Sequence, residues 1–375
     1  MKIVCDNKIP FLKGTFEPYA DVVYLPGHET TAQVVHNADA IITRTRTICN
    51  EALLKGSTVK IIATATIGYD HIDTTWCQAN NIEWINAPGC NSWSVRQYIG
   101  SLLVSLAKKY QFDCCNTTLG VVGVGNVGAK VAEIAGIMGF RVLLNDPPRA
   151  RREKRSDFVS LDTILAQSDI ITCHTPLIKE GPDATYHLID SKKLAKMRTN
   201  QILINTSRGQ VVDNQALKET LKNGAIKAAC LDVWENEPSI DTDLMESLFA
   251  ATPHIAGYSL DGKANGTLMS VRAVARKLDL PLKEWSVKDI PPPKQAVTFC
   301  IDATQKTDFQ VVSEAILHTY NIMDDDIRLR ANVAGFEKQR SDYPVRREFP
   351  AFTINLINSN EQLARKIRAL GFRLT

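Results

Sequence analysis

Three segments that lie far apart in the sequence carry side chains suited to acid–base chemistry: INTSRG with Arg208, LDVWENEP with Glu237, and TPHIAG with His254. Histidine exchanges a proton near neutral pH, and a carboxylate beside it orients the ring and stabilises its protonated form. An arginine binds a carboxylate through two hydrogen bonds and polarises a reacting oxygen. Together they suit hydride removal from an alcohol carbon, although singly each also fits an ordinary structural role.

A glycine-rich turn, VVGVGNVG, has the GxGxxG spacing at Gly123, Gly125 and Gly128. A strand pattern precedes it, a helix pattern follows, and the next strand pattern ends at Asp146. In a dinucleotide-binding turn the first glycine permits the tight turn, the second admits the pyrophosphate, and the third lets helix and strand pack closely. Unpaired N–H groups at the helix N-terminus bind the phosphates.

The end of the following strand predicts which dinucleotide binds. Asp146 can accept hydrogen bonds from both ribose hydroxyls and would repel a 2′-phosphate, so NAD is favoured over NADP. Arg149 is a counterargument because an arginine can bind that phosphate. A doubly wound domain without a nucleotide remains the alternative.

The elements that must position these residues alternate between strand and helix patterns. Residues 1–93 contain the apolar runs KIVC, DVVYL, AIITR, KIIATA and IEWIN, separated by helical or polar segments. Continuous apolar runs predict strands buried on both faces, and the alternation predicts βαβ units around a parallel sheet. A second series follows the helix pattern SVRQYIGSLLVSLAKKY, and the three polar segments lie at or near its strand ends, where open α/β sheets bind ligands.

The run Pro291–Pro293 predicts a boundary, because consecutive prolines continue neither a helix nor a central strand. Two strand–helix patterns follow it, AVTFCID with FQVVSEAILHTYNI and AFTINLI with NEQLARKIRALGF. Their amphipathic helices predict packing against another surface, and the sequence does not say whether that surface belongs to a second copy.

Composition excludes several classes of protein. A chain of 375 residues with 44% hydrophobic and 23% charged residues predicts two or three globular domains. The net charge of +3 and the lack of a concentrated basic face argue against nucleic-acid binding. None of the nine cysteines forms a CxxC pair, so we expect no metal site, no disulfide framework and a reducing cytoplasm. No apolar run predicts a membrane span, and the N-terminus lacks a signal-peptide pattern.

The motifs GVGNVG, INTSRG, LDVWENEP and TPHIAG occur in the order found in the D-isomer-specific 2-hydroxyacid dehydrogenases, which residues 1–285 resemble. The resemblance implies that Arg208, Glu237 and His254 are catalytic, with His254 as the acid/base. It also implies an α/β fold with two doubly wound parallel-sheet domains. These are a flavodoxin-like catalytic domain (1–93 and 258–290) and a Rossmann NAD-binding domain (94–257). A small α+β domain (291–375) for homodimerisation completes the expected fold.

The resemblance implies further contacts with the cofactor and the substrate. The cofactor contacts are Gly123, Gly125, Asn126, Val127, Gly128, Asp146, Thr175, Thr206, Asp232 and Gly257. The substrate contacts are Thr45, Thr66 and Tyr258. The segment PHIAGYSLDGK and the C-terminal extension look like those of members that oxidise a phosphorylated four-carbon 2-hydroxy acid with NAD in vitamin B6 biosynthesis.

One stretch departs from that resemblance. RTRTIC has Arg46 and Ile48 where a small or apolar residue and then a basic one are expected, so the cations that bind the substrate phosphate stay open. Arg44, Arg46 and Lys263 are candidates.

Other functions remain as alternatives. The substrate could instead be 3-phosphoglycerate, glyoxylate or hydroxypyruvate, and some relatives are NAD-sensing binding proteins without turnover. Glu237 argues against formate dehydrogenation, because the formate dehydrogenases of the family lack that residue. A regulatory ligand-binding tail is a less favoured reading of the C-terminal extension, since such a module needs more strands than the two clear ones here.

Overall fold

The computed structural model describes residues 1–375. Its strands are β1 (Lys2–Asp6), β2 (Asp21–Leu25), β3 (Ala40–Thr43), β4 (Ile61–Thr64), β5 (Glu83–Ile85), β6 (Thr118–Val122), β7 (Arg141–Asn145), β8 (Ile170–Cys173), β9 (Ile202–Asn205), β10 (Ala228–Leu231), β11 (Ala250–Ala251), β12 (Thr298–Asp302), β13 (Thr353–Ile357) and β14 (Arg373–Leu374).

The helices are α1 (Ala32–Val35), α2 (Glu51–Leu54), α3 (Thr74–Ala79), α4 (Ser92–Tyr110), α5 (Asn126–Met138), α6 (Pro147–Glu153), α7 (Leu161–Gln167), α8 (Ser191–Leu194), α9 (Asn214–Lys222), α10 (Thr242–Ser247), α11 (Leu260–Lys277), α12 (Asp308–Thr319), α13 (Ile322–Ala331), α14 (Phe336–Ser341) and α15 (Glu361–Leu370). No helix is both long enough and apolar enough to cross a membrane.

The chain divides into two compact units. The first unit contains Met1–Asn91 and Ser259–Pro291, and the second contains Ser92–Tyr258 and Pro292–Thr375. The C-terminal segment thus belongs to the same compact unit as the expected nucleotide-binding segment. The physical reason is that α12 and α13 pack on α4, while α15 packs on α5.

The first unit is built around a parallel sheet with the order β2-β1-β3-β4-β5. Alternate residues of the same strand enter two separate apolar clusters: Ile42 of β3 lies in one and Ile41 in the other. Both clusters are buried, which explains the unbroken apolar runs in the sequence. The helix α11 packs on β4 and returns the chain to this unit.

The second unit contains a six-stranded parallel sheet with the order β11-β10-β9-β8-β6-β7. The strand order reverses beside β6, and α5 begins at Asn126, directly after the glycine turn that follows β6. A crevice at such a reversal is where doubly wound sheets bind nucleotides. The expected α/β fold with two doubly wound parallel sheets is therefore confirmed.

The C-terminal segment adds a three-stranded sheet with the order β12-β13-β14, all parallel. Residues of α12, β13 and α15, including Ile316, Ile354 and Ile367, share one buried cluster with Leu102 of α4 and Ile134 of α5. This common core ties the C-terminal segment to the helices that flank the six-stranded sheet.

Candidate active site

The loops that follow β10 and β11 bring His254 and Glu237 together. Nδ1 of His254 lies 2.8 Å from Oε2 of Glu237, and the two side chains are 33% and 20% exposed. The other carboxylate oxygen of Glu237, Oε1, accepts a hydrogen bond of 2.9 Å from the backbone N–H of Trp234. Both oxygens of Glu237 are therefore engaged, and its carboxylate is fixed relative to the imidazole.

The surroundings of Glu237 favour its ionised form. Burial raises the pKa of this carboxyl, but the hydrogen bond and charge of His254, the Trp234 N–H and the charge of Arg340 together lower it. An ionised Glu237 accepts a hydrogen bond from Nδ1–H of His254. Nε2 is then the imidazole nitrogen that can exchange a proton with a bound molecule.

Asp232 organises the backbone that carries His254. This buried carboxylate accepts hydrogen bonds from the backbone N–H of Ile255 at 2.7 Å and of Ala256 at 2.9 Å, and from the Thr252 hydroxyl at 2.7 Å. His254 has a φ of 56° and donates its backbone N–H to the Asp232 carbonyl at 2.7 Å. A left-handed histidine is sparsely populated, and these bonds hold it there.

The loop that carries Arg208 lies directly against the loop that carries Glu237. A Cβ atom on Gly209 would lie 2.0 Å from the carbonyl carbon of Trp234, so only glycine fits this approach. Asn205, the last residue of β9, donates from its side chain to the carbonyl of Arg208 at 2.9 Å. The three catalytic candidates thus sit on adjoining loops at the carboxyl edge of one sheet.

A second set of bonds fixes the Glu237 loop from its other side. Asn214 and Glu235 exchange two hydrogen bonds of 3.1 and 3.2 Å, and His187 lies 2.7 Å from Oε1 of Glu235. Ligand atoms of His187, Asp213 and Glu235 lie within 4.8 Å of one another, a spacing that a metal ion would also accept. Because Glu235 is already hydrogen-bonded on both oxygens, we interpret the cluster as a clamp on this loop.

The glycine turn forms a close-packed cradle. A Cβ on Gly128 would lie 1.9 Å from the Gly123 carbonyl oxygen, whereas one on Gly125 would meet nothing within 4 Å. Asp146 accepts hydrogen bonds from the backbone N–H of Val124 at 2.8 Å and of Arg149 at 3.0 Å. The turn thus has the tight helix–strand contact and the open backbone that a pyrophosphate requires.

The opposite wall of this cradle contains an unsatisfied polar atom. The hydroxyl of Thr175 is buried and has no hydrogen-bond partner. Its neighbour His174 lies between the hydroxyls of Thr172 at 2.9 Å and Thr206 at 3.2 Å, and burial lowers the pKa of His174 to about 3. A buried hydroxyl left unpaired is costly, so Thr175 is a candidate to contact a ligand in this cradle.

Arg149 is already occupied by a protein partner. Its guanidinium forms two hydrogen bonds of 2.8 Å with Glu153 and lies 5.5 Å from the centre of the Phe158 ring. The ion pair with Glu153 neutralises the Arg149 cation, which could otherwise have attracted a 2′-phosphate. Arg149 therefore does not argue against a preference for NAD over NADP.

Comparison with known proteins shows which family shares these features. Residues 97–256 match the profile for the NAD-binding domain of D-isomer-specific 2-hydroxyacid dehydrogenases, and residues 293–371 match a domain of unknown function. The erythronate-4-phosphate dehydrogenase of Bacteroides thetaiotaomicron is 47% identical over 94% of this chain and 99% of that protein. The one from Porphyromonas gingivalis is 39% identical over 99% of this chain and 100% of that protein.

The chain belongs to the D-isomer-specific 2-hydroxyacid dehydrogenase family. It is an NAD-dependent dehydrogenase of hydroxy acids, and its expected cofactor is confirmed. Among solved structures it is similar to D-lactate dehydrogenase from Aquifex aeolicus in complex with NAD and lactic acid. The TM-score is 0.63 at 25% identity, covering 76% of this chain and 97% of that one. Formate dehydrogenase from Staphylococcus aureus gives a TM-score of 0.61 at 25% identity, covering 77% and 98%.

The remaining candidate site residues of this 2-hydroxyacid dehydrogenase lie in two places. Gly257 and Tyr258 follow the His254 loop in the second unit, where Ala256 accepts a hydrogen bond of 2.8 Å from Ser94. Thr45 and Thr66 belong to the first unit, in the loops after β3 and β4. Thr66 donates to the Gly68 carbonyl at 2.9 Å, and Thr45 is exposed.

The sequence reasoning missed several residues that support this 2-hydroxyacid dehydrogenase site. Tyr98 lies 2.6 Å from the Thr252 hydroxyl, and Arg346 donates to the Ala256 carbonyl at 2.6 Å. Arg340 lies over the ring of Tyr258, 5.6 Å from its centre. These residues come from α4 and from the C-terminal segment, and only the fold brings them to the loop.

Proposed function

We propose that this chain oxidises 4-phospho-D-erythronate with NAD to (R)-3-hydroxy-2-oxo-4-phosphooxybutanoate and NADH, a step of pyridoxal 5′-phosphate (vitamin B6) biosynthesis. The observation that carries the proposal is the pairing of His254 with Glu237 at 2.8 Å on a loop adjoining that of Arg208. The substrate assignment is supported by relatives of that name that match nearly the whole chain at 39% to 47% identity.

His254 is the proton acceptor of the proposed reaction. Nε2 takes the proton of the C2 hydroxyl while the electron pair of the O–H bond forms the carbonyl. NAD held at the glycine turn of Gly123, Gly125 and Gly128 would supply the acceptor for the C2 hydrogen, which leaves as hydride. The ionised Glu237 stabilises the imidazolium that results and keeps Nδ1 protonated, so that the ring presents Nε2 in every turnover.

Arg208 binds the substrate carboxylate and polarises the reacting oxygen in this proposal. A guanidinium suits both tasks because its planar donors match a carboxylate and remain charged at any working pH. Asn205 supports the role by fixing the Arg208 backbone through its 2.9 Å hydrogen bond to the carbonyl oxygen.

The cofactor contacts of the proposal are those implied by the family resemblance. Gly123, Gly125, Asn126, Val127 and Gly128 would hold the pyrophosphate, and Asp146 the ribose. Thr175, Thr206, Asp232 and Gly257 would complete the contacts. The open space above Gly125 and the unpartnered Thr175 hydroxyl support this assignment.

The proposal assigns Thr45, Thr66 and Tyr258 to contacts with the substrate. The substrate carries a phosphate and a carboxylate, so it needs cations besides Arg208. Arg44 and Arg46 follow β3 and Lys263 lies in the first turns of α11, all in the first unit. The first unit thus offers three cations for the phosphate, and we assign Arg46 to that contact.

We also propose a function for each domain of the chain. Residues 1–93 and 258–290 serve as the catalytic domain, 94–257 as the NAD-binding domain, and 291–375 as a homodimerisation domain. Cys300, Asn355 and Ile357 are exposed on β12 and β13 and supply a sheet face for a second copy. All nine cysteines are free, which supports a cytoplasmic location.

A substrate panel tests the proposed function. The purified chain is mixed with NAD and 4-phospho-D-erythronate, 3-phospho-D-glycerate or unphosphorylated D-erythronate, and NADH formation is followed by absorbance. Glyoxylate and hydroxypyruvate are tested with NADH in the reverse direction and are compared with the reduction of (R)-3-hydroxy-2-oxo-4-phosphooxybutanoate, so that kcat/KM values are ranked only within one direction. We expect the highest kcat/KM with 4-phospho-D-erythronate. A higher value with any other acid contradicts the substrate assignment, and NADH binding without turnover on any of them contradicts the enzyme.

A further inference from the structure

The C-terminal segment places a cation over the ring of one assigned active-site residue, and the charge of this cation acts on a second one. Arg340, in α14, lies with its guanidinium carbon 5.6 Å from the centre of the Tyr258 ring. Its charge also acts on Glu237, the acidic partner of His254. Arg340 is far from both residues in the sequence, so the motifs in the loops after β10 and β11 do not predict its position.

The surroundings of Arg340 hold its side chain in place. One terminal nitrogen donates to Glu337, one turn earlier in α14, at 2.9 Å, and the side chain is only 20% exposed. The guanidinium also lies 5.9 Å from the ring centre of Phe336, a residue buried in the core at the start of α14. Its Nε is buried without a hydrogen-bond partner. This is an anchored cation and not a mobile surface arginine.

We infer that Arg340 is a positioning residue for hydride transfer, keeping Glu237 as a carboxylate and orienting the Tyr258 ring, an inference that rests on the proposed function. The C-terminal segment accordingly completes the catalytic centre of its own chain, besides any part it takes in dimerisation.

The charges around Glu237 explain why one more cation matters. Burial raises the pKa of Glu237, whereas His254 and Arg340 are the charged groups that lower it. Glu337, Tyr258 and Glu237 are the groups whose charges act on Arg340. Without Arg340 the carboxylate loses one of its two cationic neighbours, so it takes up a proton at higher pH and stops supporting the imidazolium.

Tyr258 provides the second way in which Arg340 acts on the active site. A guanidinium over an aromatic face is attracted by the ring, and the attraction is larger where water is partly excluded. Tyr343 approaches the same ring edge-on, with the ring centres 5.9 Å apart. Arg340 and Tyr343 thus contact Tyr258 from the C-terminal segment and restrict the angle at which its hydroxyl meets the substrate.

The test compares R340Q and R340K with the wild type through pH profiles of kcat/KM on 4-phospho-D-erythronate. The matched control is R365Q, since Arg365 has a similar arginine–glutamate pair in α15 but is 77% exposed. We expect the acid limb of R340Q to move up by about half a pH unit, which is about a threefold loss at low pH. R340K retains the charge, so its acid limb should lie close to that of the wild type. The pH profile of R365Q should match that of the wild type.

Thermal unfolding of each variant identifies loss of fold, and R340K keeps the test decisive should R340Q unfold. If the acid limb does not move and kcat/KM falls equally at every pH, Arg340 has a structural role only. A raised KM for the phosphorylated acid alone, with the limb unmoved, would make Arg340 a substrate anchor. Either result overturns the inference while the proposed function stands. A wild type without turnover overturns the proposed function, and this inference with it.

Discussion

Nδ1 of His254 and Oε2 of Glu237 are 2.8 Å apart although the residues lie on different loops of the six-stranded sheet. The pair is held from two sides. Asp232 fixes the backbone after His254, and the Trp234 N–H fixes the second carboxylate oxygen of Glu237. An imidazole whose one nitrogen is permanently engaged presents the other at a fixed place, as a general base requires.

Replacing Glu237 with glutamine keeps the shape of the side chain and removes its charge. We expect kcat to fall by about 10²- to 10⁴-fold, the range attributed to positioned acid–base groups, because the imidazolium loses its counter-ion. Steady-state kinetics on 4-phospho-D-erythronate measure this. The dissociation constant for NADH, measured by fluorescence, should stay within about twofold. A kcat close to the wild-type value would remove Glu237 from the catalytic set.

Gly209 is expected to tolerate no side chain. The Gly209→Ala change forces the Trp234 backbone away, since the new Cβ would lie 2.0 Å from its carbonyl carbon. We expect a loss of about 1–3 kcal/mol or more in the free energy of unfolding, together with a lower kcat because the loops of Arg208 and Glu237 separate. Denaturant unfolding and kinetics on the same preparation measure both.

Gly136 supplies the matched control for that experiment. It lies exposed in α5, and a Cβ there would meet nothing within 4 Å. The Gly136→Ala change should stabilise the protein by about 0.5–1 kcal/mol, since alanine favours a helix, and leave kcat unaltered. Equal effects of the two changes would show that the contact at Gly209 is unimportant.

Asp146 is expected to set the choice of cofactor. Its two oxygens already hold the backbone of Val124 and Arg149 and face the end of the glycine turn. Changing Asp146 to serine should raise the KM for NAD and lower the preference for NAD over NADP, because the charge that repels a 2′-phosphate is gone. The ratio of kcat/KM for the two cofactors measures this. An unchanged ratio would place the discrimination elsewhere.

His174 should make stability depend on pH. Its pKa is about 3 in the folded chain, because burial opposes its charge, and is 6.5 in the absence of that burial. The unfolded chain therefore binds one more proton between these values, and the free energy of unfolding should fall by about 1.4 kcal/mol per pH unit as the pH drops below 6.5. Urea unfolding at pH 7 and pH 5 measures the slope.

A glutamine at position 174 cannot titrate and should reduce that slope, whatever it does to stability at pH 7. Burial lowers the pKa of His71, in the other unit, to about 4, so His71 contributes to the slope in the same direction. This contribution should remain in the variant. Identical slopes for the wild type and His174→Gln would mean that His174 is not buried uncharged.

The sequence was most informative where neighbouring residues determine the structure. The apolar runs became strands and the GxGxxG turn begins α5, because strand burial and the close approach at Gly128 depend on local pattern. The sequence patterns did not predict the strands β11 and β14, because a strand of two residues is too short to show a periodicity. Asp325 in α13 is only 3% exposed, which no local sequence pattern indicates. Its partners, which include Tyr320 and Tyr343, meet it only in the fold.

The support around the active site could not be predicted for a related reason. Arg340 and Arg346 reach the loop of His254 and Tyr258 from the C-terminal segment, through contacts that no local pattern encodes. The types of Arg208, Glu237 and His254 suggested the chemistry, whereas their meeting depends on how the loops after β9, β10 and β11 pack.

The most direct test is the initial rate of NADH formation from 4-phospho-D-erythronate and NAD by the wild type and by His254→Ala. Both proteins should bind NADH with similar affinity, so a difference in rate reports on the proton transfer. We predict steady turnover by the wild type and at least about a 10²-fold lower kcat for the variant. Comparable turnover by both proteins would contradict the assignment of His254 as the base.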